Sequence, residues 1–498
     1  MSHRFSLALV LLAACGSSGP THPSFAPIEA AVTADLAKSN ATAASVAVWL
    51  DGEIVWVGGF GHADPNGTAP PDEDTQFMIG SDTKKITAIA LLREVAAGKT
   101  TLDTTVGAML PELHMAMAPG FANTTLRQLM SHQSGIMDGA EETSATTDAA
   151  LANFAYGEFA TSYHAMNPPG LFYNYSNPNF SIAGLITQQL DGRPWADIVE
   201  QDVFAPLGMT RTVARKSEVD ADRALGRGYT IEDQTIHAVS FEDTWESGFT
   251  RPAGLVWSTP DDQMRLARFL VDGDPAVLAP ALRSEITRAQ TPIYPELPPG
   301  YGFGLIVSRG LQLDSAYYDV PVWFHGGNTH THTSTFYVLP EQHFAVSILS
   351  NGVDDDFTGT VVAAIKSLAA LPAPSTAPVR PFDPSQLEGL VGTYTDPFEV
   401  GDVVVTHVGD GLTISAPALD AAGVAYDHAL TPITTRAWLA TVDGEATELT
   451  FIDGPGGETY LRNRQFVAVR PAPGGVAMHA TPAGAARLRA ALRRSSDR

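Results

Sequence analysis

The chain has one cysteine, six lysines and no apolar run long enough to cross a membrane. A single cysteine, Cys15, excludes an internal disulfide. Lys and Arg number 30 against 55 Asp and Glu, giving a formal net charge of −25. A surface of that sign repels phosphate backbones, so nucleic acid is excluded as a partner. Charged residues make up 17% and apolar residues 44%, which is a globular composition and not a disordered one. At 498 residues the chain exceeds one ordinary core, and two domains are expected. Two catalytic spellings are also missing. Gly-x-Ser-x-Gly is absent, which argues against a nucleophile elbow. His-Glu-x-x-His is absent, so the usual helical zinc site is not there. No internal repeat is visible.

What is present begins at the N-terminus. Arg4 precedes an apolar run, Phe5 to Leu12, too short for a bilayer. Residues 1–14 read as a secretory signal. Leu12-Ala13-Ala14-Cys15 resembles the bacterial lipoprotein processing site, where cleavage leaves the cysteine N-terminal and lipid-modified. The resemblance implies export across the inner membrane and a lipid anchor on Cys15. The body would then sit in the cell envelope, facing periplasm or exterior. Residues 15–27, rich in Ser, Gly and Pro, read as a tether.

The stretch around which the rest is organised is Met78 to Leu92. Its start reads as a loop and its remainder as a helix to about Ala97. Ser81 and Lys84 stand three apart, and no other lysine has a serine three residues before it. On a helix the two share a face, one turn apart. A serine at a helix start has free backbone N–H groups and the positive dipole end beside it. A partly buried lysine one turn on, with a lowered pKa, can take the serine proton.

Along the chain, residues 27–38 have helical periodicity. Residues 44–50 and 53–58 read as a hairpin joined at Asp51-Gly52. A short helix over residues 125–135, stopped at Gly135, and a helix over 180–190 flank a loop from Met166 to Asn179. Residues 252–260 read as strand or turn, followed by a helix over 261–270. Strands are expected over 317–325, 334–339 and 344–349, then a helix over 355–370. Helices between an early hairpin and late strands predict an α+β domain over 28–370, with both of its ends in one antiparallel sheet. Residues 371–385 are proline-rich and polar and mark a linker. Residues 386–470 carry short strands at the spacing of a small β-barrel or sandwich. Residues 471–498 form an Ala/Arg-rich tail.

Two further candidates carry chemistry. In Tyr175-Ser176-Asn177 a tyrosine near a lysine ammonium can pass protons, and an Asn amide can orient the lysine or a substrate carbonyl. In His325-Gly326-Gly327-Asn328 the glycines admit a substrate backbone, and the N–H of Asn328 facing that of Ser81 would form an oxyanion hole.

In order and spacing, Ser81-Asp82-Thr83-Lys84, Tyr175-Ser176-Asn177 and His325-Gly326-Gly327 resemble the three boxes of serine β-lactamases and penicillin-binding proteins. Tyrosine in the second box resembles the class C branch with its DD-peptidases and esterases. Residues 126–135, 252–259 and Tyr301-Gly302-Phe303-Gly304 agree with it. The resemblance implies a β-lactamase-like antiparallel sheet flanked by helices, an all-helical subdomain, and a C-terminal β-domain. It implies a serine hydrolase that forms an acyl-enzyme on Ser81, without metal or cofactor. Lys84 and Tyr175 would share the proton work, Asn177 would position the substrate or Lys84, and His325 would replace the third-box lysine. Ser81, Gly327 and Asn328 would line the oxyanion and substrate side. Substrates would be small esters, or amides and peptides with D-residues.

Two departures bear on substrate. Histidine replaces the third-box lysine, which favours peptidases and esterases over β-lactamases. The following stretch, Thr329-His330-Thr331-His332-Thr333-Ser334, lacks the family's usual glycine and aromatic. The alternatives are a β-lactamase or penicillin-binding DD-carboxypeptidase, and a non-catalytic envelope binding protein of the same fold. A metal reading rests on His325, His330 and His332, the last two expected to share a strand face.

Overall fold

The computed structural model describes residues 24–62, 70–139, 143–220, 227–232 and 235–475. Residues 1–14, Cys15, most of the expected tether and nearly all of the 471–498 tail lie outside these. Among the described residues, no helix is long and apolar enough to cross a membrane.

The fold is α+β, built on two antiparallel eight-stranded sheets. The first runs in the order Glu53–Gly61, Ala43–Leu50, Phe344–Ser350, Thr333–Leu339, Ala316–Asn328, Ile306–Leu313, Leu297–Tyr301, Thr291–Tyr294. The early hairpin thus pairs with a late strand, Val46 opposite Ile348. Asp51 and Gly52 turn the hairpin with φ of +50° and +94°, the conformation that Asp-Gly favours.

Both faces of this sheet are covered, which is why residues 43–50 read as an almost unbroken apolar run. Ala44, Val46 and Val48 meet Ile28 and Val32 of the Ala26–Leu36 helix and Val361 and Ile365 of the Thr358–Leu368 helix. Ala47 and Trp49, on the opposite face, join the large core with the Thr83–Ala96 and Pro260–Asp272 helices. The helix expected from residue 355 starts at Thr358. Asp35 caps its first turn from the other helix, accepting from Thr360 N at 2.7 Å and Thr360 Oγ1 at 2.8 Å. Asp355 is held instead by Asn40 N and Ser350 Oγ.

Two stretches differ from expectation. Residues 252–260 begin as a short helix, Arg251–Gly254, before the two-residue strand Trp257–Ser258. Pro252 suits the first helical turn, and buried Arg251 is fixed by Asp148 and Glu246. The three strands between Thr291 and Leu313 escape a periodicity reading because Pro292, Pro298, Pro299 and Gly310 interrupt them. Thr291–Tyr294, with Pro292, is the edge strand of the sheet, and Pro298 and Pro299 fall where Leu297–Tyr301 has no paired partner, beside a register irregularity.

The second sheet spans Gly392–Asp396 to Val467–Arg470 around a core of Tyr394, Val405, Trp438, Phe451 and Leu461. A bridge between Thr413 and Ala429 brings its two edges together, so the sheet is nearly closed like a barrel. It docks on the first region through Tyr460 and Val467 against Met166 and Phe172. Buried Arg462 seals the contact, donating to Tyr173 O at 2.7 Å and Ile293 O at 2.8 Å.

Candidate active site

Ser81 lies in the 3-10 turn Gly80–Asp82, directly before the Thr83–Ala96 helix. That helix is buried at every residue from Thr83 to Leu92, so Lys84 points into protein and not into water. Its Nζ stands 2.9 Å from Ser81 Oγ, 2.7 Å from Asn177 Oδ1 and 2.8 Å from Ala253 O. Tyr175 Oη donates to Ser81 Oγ at 2.7 Å. Burial lowers the Lys84 pKa, and the neighbouring Tyr175 partly offsets this. The structure therefore brings Ser81, Lys84, Tyr175 and Asn177 into one hydrogen-bonded cluster.

Asn177 stands at the N-cap of the Pro178–Asp191 helix, yet its side chain makes no cap bond. The amide is directed to Lys84 instead. The loop before it is tied down residue by residue. Asn174 N donates to His132 O, Ser176 N to His132 Nδ1, and Asn177 N to Asp138 Oδ1 at 2.8 Å.

The third box forms the last four residues of the Ala316–Asn328 strand, which runs on past its expected end at His325. Gly327 packs directly on the Gly80–Asp82 turn. A Cβ there would meet Ile79 O at 2.1 Å and Ser81 N at 2.7 Å. A Cβ on Gly80, which has φ of +51°, would meet Asn328 N at 2.7 Å. The backbone nitrogens of Ser81 and Asn328 thus border the same narrow space. The Asn328 side chain is turned elsewhere, to Asp354.

His325 is only 6% exposed and does not touch Ser81 or Lys84 through a hydrogen bond. Its Nδ1 lies 2.6 Å from Gly326 O, an acceptor, so Nδ1 carries the proton. Nε2 then accepts from Tyr301 Oη at 3.0 Å. Tyr301 Oη in turn accepts from His132 Nε2 at 3.2 Å, and His132 Nδ1 accepts from Ser176 N. Burial, reinforced by the Lys84 charge, lowers His325 to about 3 and holds His132 well below its usual range. The three groups form a neutral, directional chain behind Tyr175, whose ring centroid lies 4.2 Å from that of His132.

The histidines of the metal reading have separate surroundings. Residues 329–332 form a turn, with Thr329 N donating to His332 O, so His330 and His332 do not alternate along a strand. His332 is buried against Phe77 and Trp257, and His330 lies against Trp245. Among the described residues, no group of three or more His, Cys, Asp or Glu could hold a metal ion.

Several residues at the site carry no motif. Asp82 and Lys85 form a fully buried ion pair, and Asp82 Oδ2 accepts from Ser334 Oγ at 2.6 Å. This ties the strand Thr333–Leu339 to the Gly80–Asp82 turn. The Ala253 carbonyl falls inside the 252–259 stretch, but nothing in that stretch marks it as a partner of Lys84. His132 and Tyr301 fall inside stretches that the resemblance covers, but only contact reveals what they do. Arg464, from the second sheet, reaches Asp138, and only its place in an otherwise polar turn could have drawn notice.

The Beta-lactamase family model matches residues 28–370. A D-aminopeptidase of Gluconobacter oxydans is 27% identical over 389 residues, covering 74% of this chain and 66% of the relative. The penicillin-binding protein homologue of Pyrococcus abyssi aligns over 90% of this chain and 100% of its own, at 19% identity and a TM-score of 0.58. A D-stereospecific amidohydrolase of a Streptomyces species aligns over 69% of this chain and 98% of its own, at 25% identity and a TM-score of 0.55. Motifs, fold and comparisons agree, and the chain belongs to the beta-lactamase family.

Proposed function

We propose that this chain is a serine hydrolase that works through an acyl-enzyme on Ser81. One observation carries the reading: Ser81 Oγ lies between Lys84 Nζ at 2.9 Å and Tyr175 Oη at 2.7 Å. A neutral Lys84 amine has two N–H groups, which Asn177 Oδ1 and Ala253 O accept. Its lone pair then faces the serine hydroxyl. Ser81 Oγ attacks the substrate carbonyl carbon, and the serine proton passes to Lys84. The oxyanion forms beside the N–H groups of Ser81 and Asn328. Tyr175 gives its proton to the departing nitrogen or oxygen as that bond breaks, and Lys84 restores it. Water then adds to the ester by the reverse proton route and releases the acid. His325 supports Tyr175 from behind through Tyr301 and His132.

The substrate class is an amide or short peptide with a D-residue at the scissile bond, with small esters as the lesser class. The relatives named as a D-aminopeptidase and a D-stereospecific amidohydrolase support this, and histidine in the third box favours peptidases and esterases over β-lactamases. We also place the chain in the bacterial envelope, held by lipid on Cys15, on the N-terminal pattern alone.

The test is intact mass after exposure to a fluorophosphonate, with Ser81→Ala alongside. One adduct on the parent and none on the variant is expected. No adduct on either would overturn the reading in favour of a binding protein. Matched D- and L-amino acid amides, esters and penicillin then separate the substrate classes.

A further inference from the structure

The C-terminal sheet places a side chain in the catalytic cluster. Between the strands Thr459–Arg462 and Val467–Arg470 runs a tight turn, Asn463-Arg464-Gln465-Phe466, closed by Asn463 N donating to Phe466 O at 2.9 Å. The turn is braced from both sides. Asn463 Nδ2 donates to Thr447 Oγ1 and Glu448 O, and its Oδ1 accepts from Gln465 N. Arg462, one residue earlier, is anchored on Tyr173 O.

Arg464 projects from this braced turn over the second box. Its guanidinium carbon lies 4.2 Å from the ring centroid of Tyr175. Its Nε donates to Asp138 Oδ2 at 2.5 Å, and Nη2 reaches the same oxygen. The other oxygen of Asp138 accepts from Asn177 N at 2.8 Å. Asn177 Oδ1 accepts from Lys84 Nζ. A continuous path therefore runs from the C-terminal sheet to the base of the nucleophile.

We propose that Arg464 is a positioning residue of the active site, holding Asp138 and Asn177 in place behind Lys84 and the Tyr175 ring beneath its guanidinium. The site is then complete only when the C-terminal sheet is docked. This rests on the hydrolase reading above.

The charges give the proposal a sign. Arg464 favours the neutral Lys84 amine, and Asp138 favours the ammonium. Removing the Arg464 charge also takes a cation from Asp138, so both effects push Lys84 toward the ammonium. Removing the Asp138 charge does the reverse.

The experiment is the pH profile of fluorophosphonate acylation for the full chain, Arg464→Gln and Asp138→Asn, with Ser81→Ala as the blank. For Arg464→Gln the acid limb is expected to move up by about one pH unit, an acylation rate about tenfold lower on that limb. For Asp138→Asn the limb is expected to move down, because Asn still accepts from Asn177 N but lacks the charge. A parent profile for both variants, or movement of both in the same direction, would overturn the proposal. If Arg464→Gln does not fold, the direction of the Asp138→Asn limb decides alone. A parent that takes no adduct overturns the hydrolase reading and this inference with it. A labelled parent with unmoved variants overturns only the inference.

Discussion

Lys84 Nζ donates to the carbonyl oxygen of Ala253 at 2.8 Å, a contact between residues 169 apart in sequence. With Asn177 Oδ1 it fixes the amine by two acceptors that cannot themselves donate a proton to it from these oxygens. The third direction is left to Ser81 Oγ.

Lys84→Met removes the base and keeps the length of the side chain. The acylation rate is expected to fall by about 10²–10⁴. Tyr175→Phe is expected to fall within the same range, and the double variant by much less than the product of the two, because they serve one proton path. Stopped acylation kinetics with an activated ester measure all three. A double variant whose loss equals the product would show two independent roles.

The buried pair of Asp82 and Lys85 predicts a stability pattern. Lys85 lies 3.9 Å from the Phe336 ring centroid, and neither charged side chain is exposed. Lys85→Met alone leaves a buried carboxylate unpaired and is expected to cost about 3–5 kcal/mol. Adding Asp82→Asn should recover most of that, since the orphan charge is gone. Urea unfolding of the single and double variants checks it. A double variant less stable than Lys85→Met would contradict the account.

Stability should fall on the acid side of neutrality. His325 and His332 are lowered to about 3 and His132 well below its usual range, in each case first by burial. In the unfolded chain each titrates near its ordinary value of 6.5. Between these values the unfolded state binds more protons, so stability rises with pH across the window and is lost as pH falls from 6.5 toward 3. Each histidine contributes about 1.4 kcal/mol per pH unit well inside it. His332→Phe should flatten the slope by one proton. An unchanged slope between pH 6 and pH 4.5 would refute its burial as the neutral form.

The N-terminal pattern predicts that Cys15→Ser abolishes membrane attachment in cells of a bacterial host. Detergent-phase partition and the mass of the N-terminal peptide are the measurements. A variant equally membrane-bound would remove the lipid from the account.

Much of the fold was legible because its signals are local. Asp51-Gly52 needs only its own two dihedrals to turn a hairpin, and both take the positive φ that the pair favours. The Thr83–Ala96 helix ends within one residue of the expected Ala97, and the Pro260–Asp272 helix falls within two residues of the expected 261–270. The strands from Thr291 to Leu313 were not legible, because their prolines are acceptable only at a sheet edge or at unpaired positions, and which positions those are is a tertiary property. The turn at residues 329–332 hid for a related reason. Alternating threonine and histidine imitates a strand until Thr329 pairs with His332.

The site divides in the same way. The sequence by itself paired Ser81 with Lys84, since one turn of helix joins them. It also supplied Tyr175, Asn177 and Gly327 as parts of recognisable boxes. Only the tertiary structure decided what surrounds them. It set His325 behind Tyr175 in a neutral chain with Tyr301 and His132, and it aimed the Ala253 carbonyl at Lys84. It brought Arg464 to Asp138 across 326 residues. The physical reason is range. Backbone periodicity and turn chemistry act over about four residues. The hydrogen bonds, burial and charge that set a proton's position act through space, between elements whose order in the chain says nothing of their separation.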